Sequence, residues 1–447
     1  MTNGPGQASN RFVEALAPAR LGRSFRLLVA SSWVSSLGDG IVLAGGPLLV
    51  HSETNTAILI SLASTLQQLP YLLFGLLAGA LSDRYNRKLI VVLVDATRAV
   101  VLTFVAVTVL THTVSITLLL MALFALGTAD VFGNNARGTL LPMLIPRADL
   151  ALGNARLQTG FLTLNQLVGP AVGAALFAAA AAWPPIADGA LAGLSMVLIS
   201  RIVLPAHGVA RIARTRIRRD IADGFVWVRH HAAIRTLVLT IFIFNITFGA
   251  AWSVLVLYAS DRLHLGSIGF GLLTTVSASG GLISTVAYGW LTRHLSLADL
   301  MRIGLIIETF THLGLALTTR PWVALSIFFV FGAHAFVWGA TSATVRQRAV
   351  PTELQGRVGS VNLVGTFGGL VIGSALGGVL AGQWGVTAPF WFAFAGSAVF
   401  LVAIWPQLRH IAHDDNALTS DARTPDAVGT PDAVGTPDAA GLKGSTP

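Results

Sequence analysis

The side chains best able to do chemistry in this chain are carboxylates set within long apolar runs. Asp39, Asp130 and Glu308 stand inside segments that are otherwise almost free of charge. A carboxylate in a bilayer is costly unless it is paired, hydrogen-bonded or bordering water. An acid that faces first one side and then the other can load a proton and release it, so these three are the proton-coupling candidates. Glu308 stands out because the nearest base on its own segment, Arg302, is six residues back. Asp95 and Arg98 lie at i and i+3, a spacing that predicts an ion pair within one helix. Arg137 joins them as a structural ion-pair candidate, either as a partner for Asp130 or as a side chain snorkelling toward the membrane surface.

Amides in the same runs can meet polar atoms of a ligand. Gln67, Gln68, Asn165, Gln166, Asn245 and Asn362 are therefore substrate-cavity candidates, with Trp252 and Trp338 supplying apolar surface. Interhelical hydrogen bonding is the alternative use of each amide. His312 and His334 read as structural. No phosphate loop, hydrolase elbow or HExxH pattern occurs, which argues against an enzyme and against any metal or cofactor. Zero Cys excludes disulfides and thiolate metal sites.

The elements that must carry these residues follow from composition. Of 447 residues, 54% are hydrophobic and 11% charged, against roughly 25% charged in an ordinary soluble domain. Twelve apolar spans can be marked, near 27–50, 57–81, 89–110, 114–141, 155–182, 186–205, 236–258, 264–291, 299–318, 321–343, 358–381 and 386–406. The first is longer than a signal-peptide core and is expected to be retained. Lys and Arg collect in every second connection, which predicts a cell inner-membrane protein with both termini cytoplasmic. The net charge of +9 is thereby explained by membrane orientation, without a nucleic-acid partner.

The expected organisation is a cytoplasmic segment 1–26, a six-helix bundle 27–205, a linker 206–235, a second bundle 236–406 and a cytoplasmic tail 407–447. In the linker, Ile217, Ile221, Phe225 and Val228 recur at helical spacing among arginines. They predict an amphipathic interfacial helix with Trp227 as anchor and anionic lipid as partner. The tail repeats Thr-Pro-Asp-Ala-Val-Gly from Thr424, a composition that predicts disorder. A functional monomer is expected.

The halves repeat one another at an offset of about 205 residues. Gly169-Pro170-Ala171-Val172-Gly173 matches Gly373-Ser374-Ala375-Leu376-Gly377 best. Small residues four apart make Gly169, Pro170 and Gly173 a helix-packing motif. Between the second and third spans, Gly79, Asp83, Arg84, Arg87 and Lys88 form a cluster able to latch one conformation at the cytoplasmic face, or simply to fix topology.

That loop resembles the signature of the major facilitator superfamily, with Asn86 where the family usually has Gly. The second-half counterpart, Gly289-Trp290-Leu291-Thr292-Arg293, lacks the Asp, which implies an asymmetric gate. Asn134-Asn135-Ala136-Arg137, Leu141-Pro142, Ile145-Pro146, Val350-Pro351-x-Glu353-Leu354 and Gly356-Arg357-Val358 together resemble its transmembrane secretion effector branch. The resemblance implies an all-α polytopic membrane protein of twelve transmembrane helices in two bundles. It implies proton-coupled export of an amphipathic small molecule of drug, macrolide or siderophore class. A proton-coupled importer of nutrients or metabolites is the nearer alternative, and a receptor or scaffold the more distant one.

Overall fold

A computed structural model describes residues 18–204 and 217–407, apart from the side chains of Asp83 and residues 217–221. The tail repeat, most of the N-terminal segment, the arginines up to Arg216, and the side chains of Ile217, Ile221 and Asp83 therefore lie outside the described residues.

The first half comprises α1 (Gly22–Glu53), α2 (Ala57–Arg84), α3 (Arg87–Leu110), α4 (Ile116–Leu144), α5 (Arg147–Ala179) and α6 (Trp183–Ser200). The amphipathic α7 (Ile217–His230) leads to α8 (Ala232–Trp252), α9 (Ser267–His294), α10 (Leu297–Leu317), α11 (Pro321–Ala349), α12 (Gln355–Trp384) and α13 (Ala388–Ile404). Among the described residues, 11 helices are long and apolar enough to cross a membrane. The twelfth, α13, has 17 residues and so measures about 26 Å at about 1.5 Å per residue.

Local chemistry sets several boundaries. Asn86 caps α3 by accepting from the backbone N–H groups of Lys88 and Leu89, at 3.1 and 3.3 Å. Ser115 and Ser296 do the same for α4 and α10. Asn86 has φ −65°, so it serves this turn as a cap and not as a left-handed substitute for Gly. The run expected at 236–258 stops instead at Trp252, followed by a short helical stretch Leu255–Leu257 and a widened turn Tyr258–Arg262.

Within α5, residues Phe161–Val168 form a π-helical stretch. Pro170 has no N–H for the carbonyl four residues earlier, and a local widening accommodates that loss. Gly169 and Gly173 then press against α1. A Cβ on Gly169 would lie 2.5 Å from the Gly40 backbone, and one on Gly173 would collide with the Ile41 carbonyl. The second half repeats the device: Cβ atoms on Gly373 and Gly377 would strike the Ile246 and Ala250 carbonyls of α8. The sequence repeat thus records one packing rule, in which the fifth helix of each half lies backbone to backbone on the first.

Arg84, Arg87, Lys88, Arg147, Arg293, Arg346 and Arg357 fall at helix ends on one side of the molecule, termed the basic end. There the apolar cores are separate. One holds Phe25, Leu28, Val91, Leu140 and Ile199 of the first half, and the other Ile234, Met301, Leu305, Val358 and Ile404 of the second. At the far end a single core draws on both halves, with Leu48, Leu49 and Ile60 beside Leu255, Tyr258, Phe270 and Phe390. The halves are closed against each other at the far end and splay toward the basic end.

The linker helix packs on α12, where a Cβ on Gly224 would lie 2.6 Å from the Arg357 carbonyl and Asp223 pairs with Arg357 at 3.4 Å. Its expected apolar face is divided by this contact: Val228 is buried, but Phe225 stays exposed. Trp227 is not a free anchor, because it packs on the second basic-end core and stacks on His231 with centroids 4.7 Å apart.

Candidate functional site

Between the halves lies a cavity of about 470 Å³. Leu43, Gly46 and Pro47 of α1, Gln67 and Gln68 of α2, and Gln166 of α5 line one side. Phe248 and Trp252 of α8, Thr274 of α9, Phe331 of α11 and Ser374 of α12 line the other. The aromatic wall is stacked on itself, with Phe248–Trp252 centroids at 4.4 Å and Trp252–Phe331 at 4.6 Å. No charged residue stands in the lining, so its contacts are amides, hydroxyls and rings. Such a surface suits a largely apolar guest with dispersed polar atoms.

Of the eight residues expected to line a substrate cavity, Gln67, Gln68, Gln166 and Trp252 line this cavity. Asn165 is instead buried against α1, with its backbone 2.6 Å from where a Gly40 Cβ would stand, and accepts from the Gln166 amide. Asn245 turns back on its own helix, donating to the Ile241 carbonyl at 2.7 Å. Trp338 packs over Gly304 of α10, and Asn362 holds a buried, unpartnered amide oxygen off the lining. These four expectations are corrected: helix packing claims two of the side chains, and the others lie away from the cavity wall.

One turn along α1 from Leu43, the site becomes ionic. Arg98 of α3, only 4% exposed, pairs with Asp39, with Asp188 of α6 at 3.3 Å and with Asp130 of α4 at 3.6 Å. It also donates to the Ser35 hydroxyl at 3.2 Å. Beside it, Arg137 pairs with Asp95 and donates to Ser195 Oγ at 3.3 Å, while Ser195 donates to Asp95 at 2.7 Å. The Ser31 hydroxyl lies 2.9 Å from that of Ser195 and extends the network onto α1.

The expected Asp95–Arg98 pair is therefore corrected, because each side chain takes other partners across the neighbouring helices. Asp95 meets Arg137 of α4 and Ser195 of α6, and Arg98 meets the acids Asp39 of α1, Asp130 of α4 and Asp188 of α6. Asp188 escaped the sequence reading although it lies inside an expected span, the same signal that selected Asp39. A Cβ on Gly38 would collide with its carboxylate, so Gly38 is the notch that admits Asp188 to Arg98.

Exposure divides the acids. Asp188 and Asp95 are sealed, at 2% and 0% side-chain exposure, whereas Asp39 and Asp130 keep 28% and 34%. Tyr71 of α2, which accepts from Asn134 at 3.1 Å, stacks on Phe367 of α12 with centroids 4.5 Å apart, bridging the halves near this cluster.

In the second half, Glu308 of α10 is buried and lies 3.6 Å from His334 Nε2 of α11. His334 was read as structural, and its neighbour here is the acid that had no base near it in sequence. At the basic end, Arg87 donates to the Ser82 carbonyl at 3.0 Å and the Thr139 carbonyl at 3.3 Å, and Lys88 donates to the Ile202 carbonyl at 2.7 Å. The loop thus ties α3 to α4 and α6. A Cβ on Gly79 would lie 3.8 Å from Asn135 Oδ1, and Arg84 is exposed. Among the described residues, no group of three or more His, Cys, Asp or Glu could hold a metal ion.

A family model described as transmembrane secretion effector matches residues 13–428. Macrolide efflux protein A of Streptococcus pyogenes is 25% identical over 401 residues, covering 85% of this chain and 94% of that protein. Multidrug efflux pump Tap of Mycolicibacterium fortuitum is 27% identical over 385 residues, covering 81% and 90%. Enterobactin exporter EntS of Escherichia coli (strain K12) is 23% identical over 414 residues, covering 89% and 95%. The fold is shared with a bacterial homologue of the iron transporter ferroportin in an inward-facing state, at TM-score 0.69 and 17% identity over 86% of this chain and 98% of that one. It is shared also with nucleoside transporter NupG, at TM-score 0.65 and 12% identity over 87% and 99%.

Proposed function

Because the chain belongs to the transmembrane secretion effectors of the major facilitator superfamily, secondary active carriers of small molecules, we propose that it exports an amphipathic small molecule in exchange for protons. The basic end is cytoplasmic in this reading, so the splayed halves face inward. The observation that carries it is the clasp of one guanidinium by three carboxylates beside an uncharged cavity.

Charge counting supplies the coupling. Asp39, Asp95, Asp130 and Asp188 face two guanidinia, Arg98 and Arg137, so full ionisation leaves two uncompensated negative charges. Low surrounding polarity makes such an excess expensive. A proton on Asp39 or Asp130, the two acids that reach open space, removes part of it. Rocking the halves about the central site, so that the basic end closes and the far-end core parts, presents those acids to the other compartment. The sealed acids hold the arginines in place through the cycle. The relatives named for macrolides, several drugs and a siderophore favour bulky amphipathic cargo, which the ring-and-amide lining suits.

The test is flux in sealed proteoliposomes with an imposed pH gradient, using radiolabelled erythromycin, ethidium and a catechol siderophore as probes. Outward movement of a probe against inward proton flow is expected. Asp39→Asn and Asp130→Asn should each lower gradient-driven flux at least about tenfold, an activation difference of about 1.4 kcal/mol, while leaving downhill exchange. Gradient-independent movement, or inward accumulation only, refutes the assignment.

A further inference from the structure

We infer that Glu308, His334 and His312 form a second proton-binding site, placed behind the aromatic wall of the cavity and answering to its occupancy. The inference rests on the proton-coupled reading above but concerns the other half of the molecule.

The geometry is a buried polar strip between α10 and α11. Glu308 and His312 lie one turn apart on α10, and Glu308 Oε2 approaches His334 Nε2 to 3.6 Å. His312 is fully buried, and among the described residues neither of its ring nitrogens has a hydrogen-bond partner. His334 Nδ1 and Trp338 Nε1, one turn apart on α11, are likewise buried and unpartnered. Gly304 opens the space for this strip: a Cβ there would lie 2.8 Å from the Trp338 ring and 3.0 Å from His334 Nδ1. Buried polar atoms are paired in the great majority of cases, so three orphaned imidazole nitrogens beside one acid require an explanation. An exchangeable proton, moving among the carboxylate and the two imidazoles, which donate or accept according to state, provides it.

The neighbours leave the acid and the imidazoles to one another. α13, which packs on α10, has no ionisable side chain. On α11 the remaining bases, Arg346 and Arg348, stand at least three turns from His334. Arg302 of α10 pairs with Asp299 at 3.1 Å toward the basic end and covers the Trp405 ring. α8, beside α11, carries only Arg235, in its first turn. α9 offers Tyr288, whose hydroxyl meets Thr341, and Arg293 and His294 at its end. With one shared proton the Glu308–His334 pair is neutral overall; with none it is a buried anion, which the surrounding protein disfavours.

The link to the cavity is direct contact. Trp252 and Phe331 line the cavity on one side. On the other, Trp252 meets His312 edge-on with centroids 6.1 Å apart, and Phe331 meets His334 at 5.7 Å. A guest pressing on these two rings presses on the two histidines. Each half then carries one proton site, the Asp39–Asp130 cluster in the first and this strip in the second.

The test needs no substrate. The chain has no Cys, so spin labels at Tyr85→Cys and Trp290→Cys, both exposed and at the basic ends of opposite halves, report opening in liposomes across a pH series. Two coupled protons make the ratio of open to closed populations change about 100-fold per pH unit between the limits, and one proton about 10-fold. The expected result is a loss of slope from about 100-fold to about 10-fold in Glu308→Gln and in His334→Gln, with Glu308→Asp restoring it. Asp39→Asn should also halve the logarithmic slope, and Asp39→Asn with Glu308→Gln should flatten it. If Glu308→Gln and His334→Gln keep the parental slope while Asp39→Asn loses it, the second site is overturned and the first-half reading stands. If Glu308→Gln loses slope while Asp39→Asn and Asp130→Asn do not, the second site stands and the first-half assignment falls. A parental protein indifferent to pH overturns both.

Discussion

Replacing Arg98 by Met removes the charge that holds three acids together. Asp188 is then left with 2% exposure and no guanidinium, and Asp39 and Asp130 lose the same partner. Breaking a buried ion pair from one side costs about 3–5 kcal/mol, or about two to four orders of magnitude in the folding equilibrium. The reciprocal change, Asp188→Asn, leaves Arg98 two carboxylates and an amide oxygen of the same shape. Its cost is therefore below the about 1.5–3 kcal/mol of a charged hydrogen bond. Equilibrium unfolding in mixed micelles, with increasing SDS fraction, measures both. The deficit of Arg98→Met should grow as pH rises, because acids without a cation stay buried only when protonated, and the unfolded chain then binds fewer protons than the folded one. An Arg98→Met protein within about 1 kcal/mol of the parent, or one more stable than Asp188→Asn, would show that the cluster is not held by its charges.

Two further sets of substitutions probe the scaffold. Gly173→Ala and Gly377→Ala place a methyl against a backbone carbonyl of the first helix in each half, and each should cost about 1–3 kcal/mol; Gly193→Ala, whose Cβ would meet nothing within 4 Å, is the neutral control in the same thermal scan. Asn86→Ala should cost about 1 kcal/mol and Asn86→Gly only a few tenths, the order for a helix cap; equal losses in calorimetry would return the position to a turn requirement.

The spans were legible because a bilayer demands uninterrupted apolar length, which is a property of sequence alone. The charged partners were not. Asp95 and Arg98 invite pairing because they are three residues apart, but the neighbouring helices offer Arg137 to the acid and three carboxylates to the base, and spacing on one helix carries no information about what faces it. Asp188 reaches Arg98 across 90 positions, and Gly38 gives it room from still farther away. Glu308 was recognisable as an acid without a local base; that His334 lies across from it depends on how α10 and α11 are rotated. Loss of the expected α7 anchor has the same origin, since α12 covers one side of that helix and Trp227 turns to the core.

The far-end core has a bearing on leakage. A carrier driven by an ion gradient, as proposed above for this chain, wastes it whenever hydrated ions slip through the empty molecule. Leu48, Leu49, Leu255, Leu257 and Phe390 form an oily stopper across both halves, and the Tyr258 hydroxyl within it is occupied in donating to the Leu315 carbonyl at 2.7 Å. Nothing in that stopper offers a stepping stone to a bare charge. The vacant carrier can stand with its mouth ajar on one side without short-circuiting the membrane.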